Sequence, residues 1–149
     1  MTTRTSSSTR LIVAEPPSAF RVRLPLTVDC SVLAAVVFAE PRADESTAMI
    51  ANHELHAPAL IDYEMVNVAA RKASAGNEDQ IASALHLYTE LPLGLHSIDL
   101  VQTVAIARRY AISAHDAAYL WLAGELRTPL ATFDTRLGKA AQKYLGSLQ

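Results

Sequence analysis

Four carboxylates stand at equivalent points of four separate segments. Asp29 closes LPLTVD, Glu64 lies just inside IDYEMVNV, Asp116 opens the run AHDAAYLW and Asp134 closes PLATFD. Only a tertiary fold can bring residues so far apart in sequence together. Singly, each acid has an ordinary explanation. Asp29 and Asp134 suit helix N-caps, where a side-chain oxygen accepts from an unpaired backbone amide. Glu64 suits the positive end of a helix dipole, and Ser113-x-x-Asp116 resembles a capping box with Asp in place of Glu or Gln. Convergence changes the chemistry, because two carboxylates about 4 Å apart repel by roughly 4 kcal/mol at an effective dielectric near 20. A cluster of four therefore needs protons or cations. Hard divalent ions such as Mg²⁺ suit all-oxygen sites that retain water, and such an ion activates water for in-line displacement at phosphorus. Converged, these acids point to metal-dependent phosphodiester hydrolysis; dispersed, they point to helix capping.

The elements that must position them follow from the apolar pattern. LPLTVD reads as a short buried strand, followed by a helix over SVLAAVVFAE that Pro41 closes, since proline cannot continue a helix. Residues Asp44 to Asn52 suit a second helix, and LHAPAL a second strand kept short by Pro58. DYEMVNVAARKASAG is a third helix with Gly76 as its stop. Glu78 to Glu90 makes a fourth helix, LGLHSID a third strand and LVQTVAIARRYA a fifth helix. SAHDAAYLWLAGELR is the sixth, PLATFD the fourth strand and TRLGKAAQKYL the last helix. Strands alternating with helices of about ten residues predict a parallel sheet flanked by helices. In such sheets ligands bind outside the carboxyl ends of the strands, which is where these acids fall.

Composition narrows the classes. Half of the 149 residues are hydrophobic and only 19% are charged, which suits one domain with a substantial core and not a disordered chain. The formal net charge of −2 excludes a global basic field, so a nucleic-acid ligand needs a local positive patch. Cys30 is the only cysteine. That excludes an intramolecular disulfide and a thiolate zinc cluster, and an inert buried thiol is expected. Apolar runs fall short of the roughly 20 residues of a membrane span, and MTTRTSSSTR lacks the apolar core of a secretory signal. A cytoplasmic protein with no membrane partner is the default. Residues 1–23 are expected to form a partly disordered N-terminal extension, with one folded domain over residues 24–149.

The segments TVDCSVLAAVVFAEP, APALIDYEMVNVA, ISAHDAAYLWLAGEL and PLATFDTRLGKAA resemble, in order and spacing, the PIN-domain ribonucleases. The resemblance runs from about Leu26 to Leu145 and is strongest to the VapC-type toxins of bacterial toxin–antitoxin pairs. It implies a three-layer α/β/α fold with a central, mainly parallel sheet of four or five strands. Carried across, the four acids of that family fall on Asp29, Glu64, Asp116 and Asp134, which would hold Mg²⁺ or Mn²⁺. Ser31, Thr132 and Asn67 match its supporting polar residues. The resemblance also implies an RNA substrate, a homodimer and a cognate antitoxin protein. Departures are small: Cys30 stands where a small residue is expected and His115 where tyrosine is frequent.

Other residues weigh against this reading or extend it. Arg136, two residues past Asp134, is the best candidate for an RNA phosphate among cations that include Arg71-Lys72, Arg127, Lys139 and Lys143. Arg108-Arg109 and Lys143 also suit helix C-termini. His53-Glu54-Leu55-His56 has its histidines three apart, whereas the helical zinc motif needs four. Asp99 is an N-cap or a fifth, peripheral acid, and Asp62 is expected to face away from Glu64. A receiver-like regulatory domain expects paired acids after its first strand and a late strand-end lysine, neither of which is present. The more serious alternative is a catalytically silent PIN-fold binding or assembly module.

Overall fold

A computed structural model describes residues 22–148. The expected extension over residues 1–23 lies outside them but for its last two residues. The chain alternates strands and helices: β1 (Leu24–Val28), α1 (Cys30–Val37), α2 (Ala43–Ile50), β2 (His53–Pro58), α3 (Ile61–Lys72), α4 (Glu78–Thr89), β3 (Leu93–His96), α5 (Leu100–Tyr110), α6 (Ala114–Leu126), β4 (Leu130–Ala131) and α7 (Thr135–Gly146). The four strands form one parallel sheet in the order β3-β2-β1-β4, flanked by the helices in the α/β/α arrangement. Among the described residues no helix is long and apolar enough to cross a membrane.

β1 lies inside the sheet because both of its faces are apolar or satisfied. Leu26 and Val28 are buried, and the fully buried Thr27 hydroxyl pairs with that of Thr128 at 2.7 Å. The helix α6 packs on β1, β2 and β4 and buries Ala117, Ala118, Tyr119, Leu120, Leu122 and Ala123. Its small residues let it approach the sheet closely while Leu and Tyr fill the core. Gly124 belongs to this packing: a Cβ there would lie 2.7 Å from the Tyr144 ring and hydroxyl on α7.

Several boundaries differ from expectation: β2 covers His53–Pro58 where Leu55–Leu60 was expected, β3 stops at His96 short of Asp99, and three others differ for a clear local reason. The helix α1 ends at Val37, before Pro41. Ala39 takes a left-handed φ of 48° and the Glu40 amide reaches back to the Ala35 carbonyl, which is a Schellman-type stop. The helix α3 ends at Lys72, short of Gly76, where the Asn77 side chain bonds the Lys72 carbonyl and the Ser74 amide. β4 keeps only two residues of PLATFD. Beyond Ala131 the Phe133 amide goes to the Ser31 hydroxyl and the Asp134 amide to the Thr132 hydroxyl, so neither remains for the strand ladder.

The strand order places a functional crevice. After β1, the chain adds β2 and β3 on one side and then crosses to add β4 on the other. The carboxyl ends of β1 and β4 therefore flank a topological switch point, where parallel sheets bind ligands. Asp29 follows β1 directly, and Thr132 follows β4 directly.

Candidate active site

Asp29 is both a cap and the anchor of the crevice. Its Oδ1 accepts the Val32 amide at 3.2 Å, capping α1, and the Ser31 hydroxyl at 2.6 Å. Its Oδ2 accepts the Thr132 hydroxyl at 2.5 Å. A carboxylate offers about four acceptor directions, so these three bonds fix its plane and leave one direction free on Oδ2. The side chain is only 5% exposed. Burial pushes its carboxyl above the usual range, opposed by the Ser31, Thr132 and backbone hydrogen bonds.

Ser31 and Thr132 tie the two strand ends together. The Ser31 hydroxyl accepts the Phe133 amide at 3.0 Å while donating to Asp29. The Thr132 hydroxyl accepts the Asp134 amide at 2.9 Å while donating to Asp29. Each uses a donor and an acceptor on opposite sides of the crevice. Asp134 itself is exposed and caps α7 through the Leu137 amide at 2.9 Å.

Glu64 enters from the first turn of α3. One of its oxygens accepts the hydroxyl of the buried Tyr119, and the other lies 3.7 Å from His115 Nδ1. Burial raises its carboxyl above the ordinary range. Tyr119 and His115 oppose that rise, and the charges of Asp29 and Asp116 add to it. Asp29 and Asp116 thus each lie within electrostatic reach of Glu64, and the three side chains come from different segments. Asp116 is half-buried on α6, whose first turn is capped by Ser113 accepting the Asp116 amide at 3.0 Å.

The four acids do not form a closed cage. Among the described residues no three His, Cys, Asp or Glu side chains are grouped closely enough to enclose a metal ion. The carboxylates and hydroxyls there are oxygen donors, with the His115 imidazole beside them. The Cys30 thiol is pushed up to about 12, first by burial and then by the charges of Glu64 and Asp29, so it stays protonated and is a poor ligand. A set dominated by oxygens, with open directions, fits a hard cation that keeps water.

A cleft of about 360 Å³ is lined by Glu64, alone of the four acids, together with Cys30, Ser31, Asn67, Arg71 and His115. Glu64, Asn67 and Arg71 share one face of α3 by their spacing of three, four and seven. A neighbouring groove of about 580 Å³ shares Ser31, Val68 and Arg71 and adds Arg42, Lys72 and Phe133. A roomier cleft of about 650 Å³, beside Phe38 and Leu87, carries none of the four acids.

Of two residues that matter here, Tyr119 was not singled out by sequence and Arg71 was named only among the available cations. Tyr119, Glu64's partner, sits three residues after Asp116 on the same helix face, a spacing that could have marked it. Arg71 is one turn past Asn67 on the Glu64 face. Arg136 lies elsewhere: its guanidinium donates to the Ala111 carbonyl and lines a separate cleft with Arg109, Lys139 and Lys143. Asp99 caps α5 through the Gln102 amide, and Asp62 faces away to accept the Tyr88 hydroxyl at 2.6 Å. His53 and His56 sit on opposite faces of β2, and His56 meets His96 at 3.0 Å.

Comparison with known proteins places these features in a family. The family profile described as PIN domain matches residues 26–143. "Ribonuclease VapC3" of Pyrobaculum aerophilum is 31% identical over 121 residues, covering 76% of this chain and 92% of that protein. "Ribonuclease VapC3" of Mycobacterium tuberculosis is 30% identical over 101 residues, covering 66% of this chain and 74% of that protein. The crystal structure of PAE2754 from Pyrobaculum aerophilum matches with a TM-score of 0.61 at 21% identity, over 85% of this chain and 98% of that one. That last likeness concerns the fold alone.

Proposed function

The chain belongs to the PIN-domain family, and on that premise we propose that it is a divalent-metal-dependent endoribonuclease, the toxin of a toxin–antitoxin pair. The observation that carries this reading is Asp29: a nearly buried carboxylate, oriented by three donors, at the switch point of a parallel sheet. A structural cap needs one oxygen. Here the second oxygen is aimed and partly free, beside a half-buried Glu64 whose carboxyl is pushed up by burial, with a smaller addition from Asp29 and Asp116.

Asp29, Glu64, Asp116 and Asp134 would hold Mg²⁺ or Mn²⁺, directly or through water, in keeping with an ion that uses few carboxylates plus substrate phosphate. When bound, that ion polarises the phosphate and lowers the pKa of the attacking water. The chain's own groups do the rest. Ser31 and Thr132 hold Asp29 in one orientation, and Tyr119 holds Glu64. Arg71, on the wall of the same cleft, neutralises a phosphate oxygen. In hydrolysis one P–O bond forms to the water oxygen and one ester P–O bond breaks. Glu64, its carboxyl pushed above the ordinary range by burial, is the carboxylate best suited to take the water proton, and the leaving oxygen is protonated from solvent.

The toxin role brings a cognate antitoxin that covers the crevice, and a homodimer. Leu100, Val101 and Val104, exposed together on α5, support self-association. The direct test is RNA cleavage by the purified chain with Mg²⁺ or Mn²⁺, with EDTA and Asp29→Asn as controls. Cleavage lost in both controls is expected; cleavage that survives either would refute the metal site. RNA binding without cleavage under all metals would favour the silent binding module instead.

A further inference from the structure

The groove beside the crevice holds a feature that the fold does not require. Arg42, just before α2, lays its guanidinium carbon 3.5 Å from the centroid of the Phe133 ring. Its Nε and Nη2 each donate at 2.8 Å to the two oxygens of Glu45. This bidentate fork holds the guanidinium plane in one orientation. Exposed ion pairs of this kind contribute little to stability, and half of the Arg42 side chain (51%) remains exposed. One face of the plane covers Phe133; the other is open to the groove.

Its position gives that open face a use. Phe133 lies between Thr132 and Asp134, and its amide is bonded to Ser31. The groove containing Arg42 and Phe133 adjoins the cleft containing Glu64, sharing Ser31, Val68 and Arg71 with it. A strand laid along this groove passes both Arg71 and the Arg42 plane, since both line it. Unpaired RNA bases are recognised by stacking on aromatic rings or on guanidinium planes. Paired bases are already stacked and have no free face to offer.

We propose that the Arg42 guanidinium, pinned by Glu45 and lying flat on Phe133, is a stacking shelf for one unpaired RNA base beside the phosphate at Arg71. The inference rests on the ribonuclease reading above and adds a base-contacting residue to the phosphate contact at Arg71. It separates two cations by role: Arg71 acts through charge, Arg42 through its plane. A lysine at position 42 would keep the charge and lose the shelf.

The test uses the full chain in EDTA, so that bound RNA is not cut. The probes are a short single-stranded RNA carrying a fluorescent adenine analogue and a fully paired duplex of the same sequence. Arg42→Ala and Arg42→Lys are both expected to weaken single-strand binding roughly tenfold, the scale of one stacked base, and to relieve quenching of the analogue. Duplex binding is expected to change little in either, whereas Arg71→Ala weakens both probes. Unchanged melting of the Arg42 variants verifies the fold. Full affinity and quenching in Arg42→Lys would overturn the shelf while leaving the ribonuclease reading intact. If the unsubstituted chain neither binds nor, with metal, cleaves RNA, the ribonuclease reading falls and the shelf with it.

Discussion

Replacing Tyr119 by Phe removes one oxygen from a side chain only 2% exposed and leaves its packing otherwise unchanged. The lost bond runs to a carboxylate, and hydrogen bonds to charged groups contribute about 1.5–3 kcal/mol. Glu64 retains some solvent access, with 24% of its side chain exposed, so water replaces part of the bond. The expected cost at neutral pH is at the lower end, about 1–2 kcal/mol, or roughly 2–8 °C in melting temperature. The pH dependence is the sharper signature. Glu64's folded pKa is raised above its unfolded value, chiefly by burial. Its own contribution to stability is therefore fully present below the unfolded pKa and is lost as pH rises through the folded one. Tyr119 favours the ionised form and offsets part of that loss. Tyr119→Phe should then be most destabilising at neutral pH and less so as pH falls through the folded pKa of Glu64. With its donor gone, Glu64 titrates still higher, and the acid limb of the cleavage profile moves to higher pH. Urea denaturation at neutral and acidic pH, together with a pH–rate profile, measures both effects. Equal destabilisation at the two pH values, or an acid limb that moves down, would refute this account of Glu64.

Further outcomes follow from other contacts. Thr132→Val removes the hydroxyl that donates to Asp29 and accepts from the Asp134 amide; it should cost about 1–3 kcal/mol in urea denaturation and slow RNA cleavage as well, and a variant unaffected in both would contradict the bridging role. Cys30, its thiol pushed up to about 12 by burial and neighbouring acids, should resist iodoacetamide in the folded chain and react in urea, with mass spectrometry as the readout. Gly124→Ala places a methyl 2.7 Å from the Tyr144 ring and should destabilise by about 1–3 kcal/mol through overpacking; Tyr144→Leu in the same chain should recover part of that loss.

Much of the fold was legible because its signals are local. Asp29, Asp99, Ser113 and Asp134 cap the helices they were expected to cap, since an N-cap is a contact between residues three apart. The strands at Leu24, Leu55 and Leu93 stood out as apolar runs between helices. Element ends were less legible. The stop of α1 depends on a left-handed alanine, which no composition signal marks, and the shortness of β4 depends on amides claimed by Ser31 and Thr132. Neither hydroxyl's partners could be read from its neighbours in sequence.

The sequence by itself determined which chemistry was available: four acids at strand ends and helix starts, oxygen donors without a usable thiolate, and cations enough for a local patch. It also determined the sheet type, because strands joined by helical crossovers run parallel. Only the tertiary structure decided which groups work together. It set β4 beside β1, which joined Ser31 and Thr132 across the crevice and turned the Asp29 cap into a doubly used carboxylate. It set Tyr119 against Glu64, turned Arg136 toward Ala111 and laid Arg42 on Phe133. The physical reason is the range of the forces involved. Caps and periodic burial act over a few residues of chain, whereas desolvation, hydrogen bonds across the sheet and stacking depend on what arrives from elsewhere in the fold.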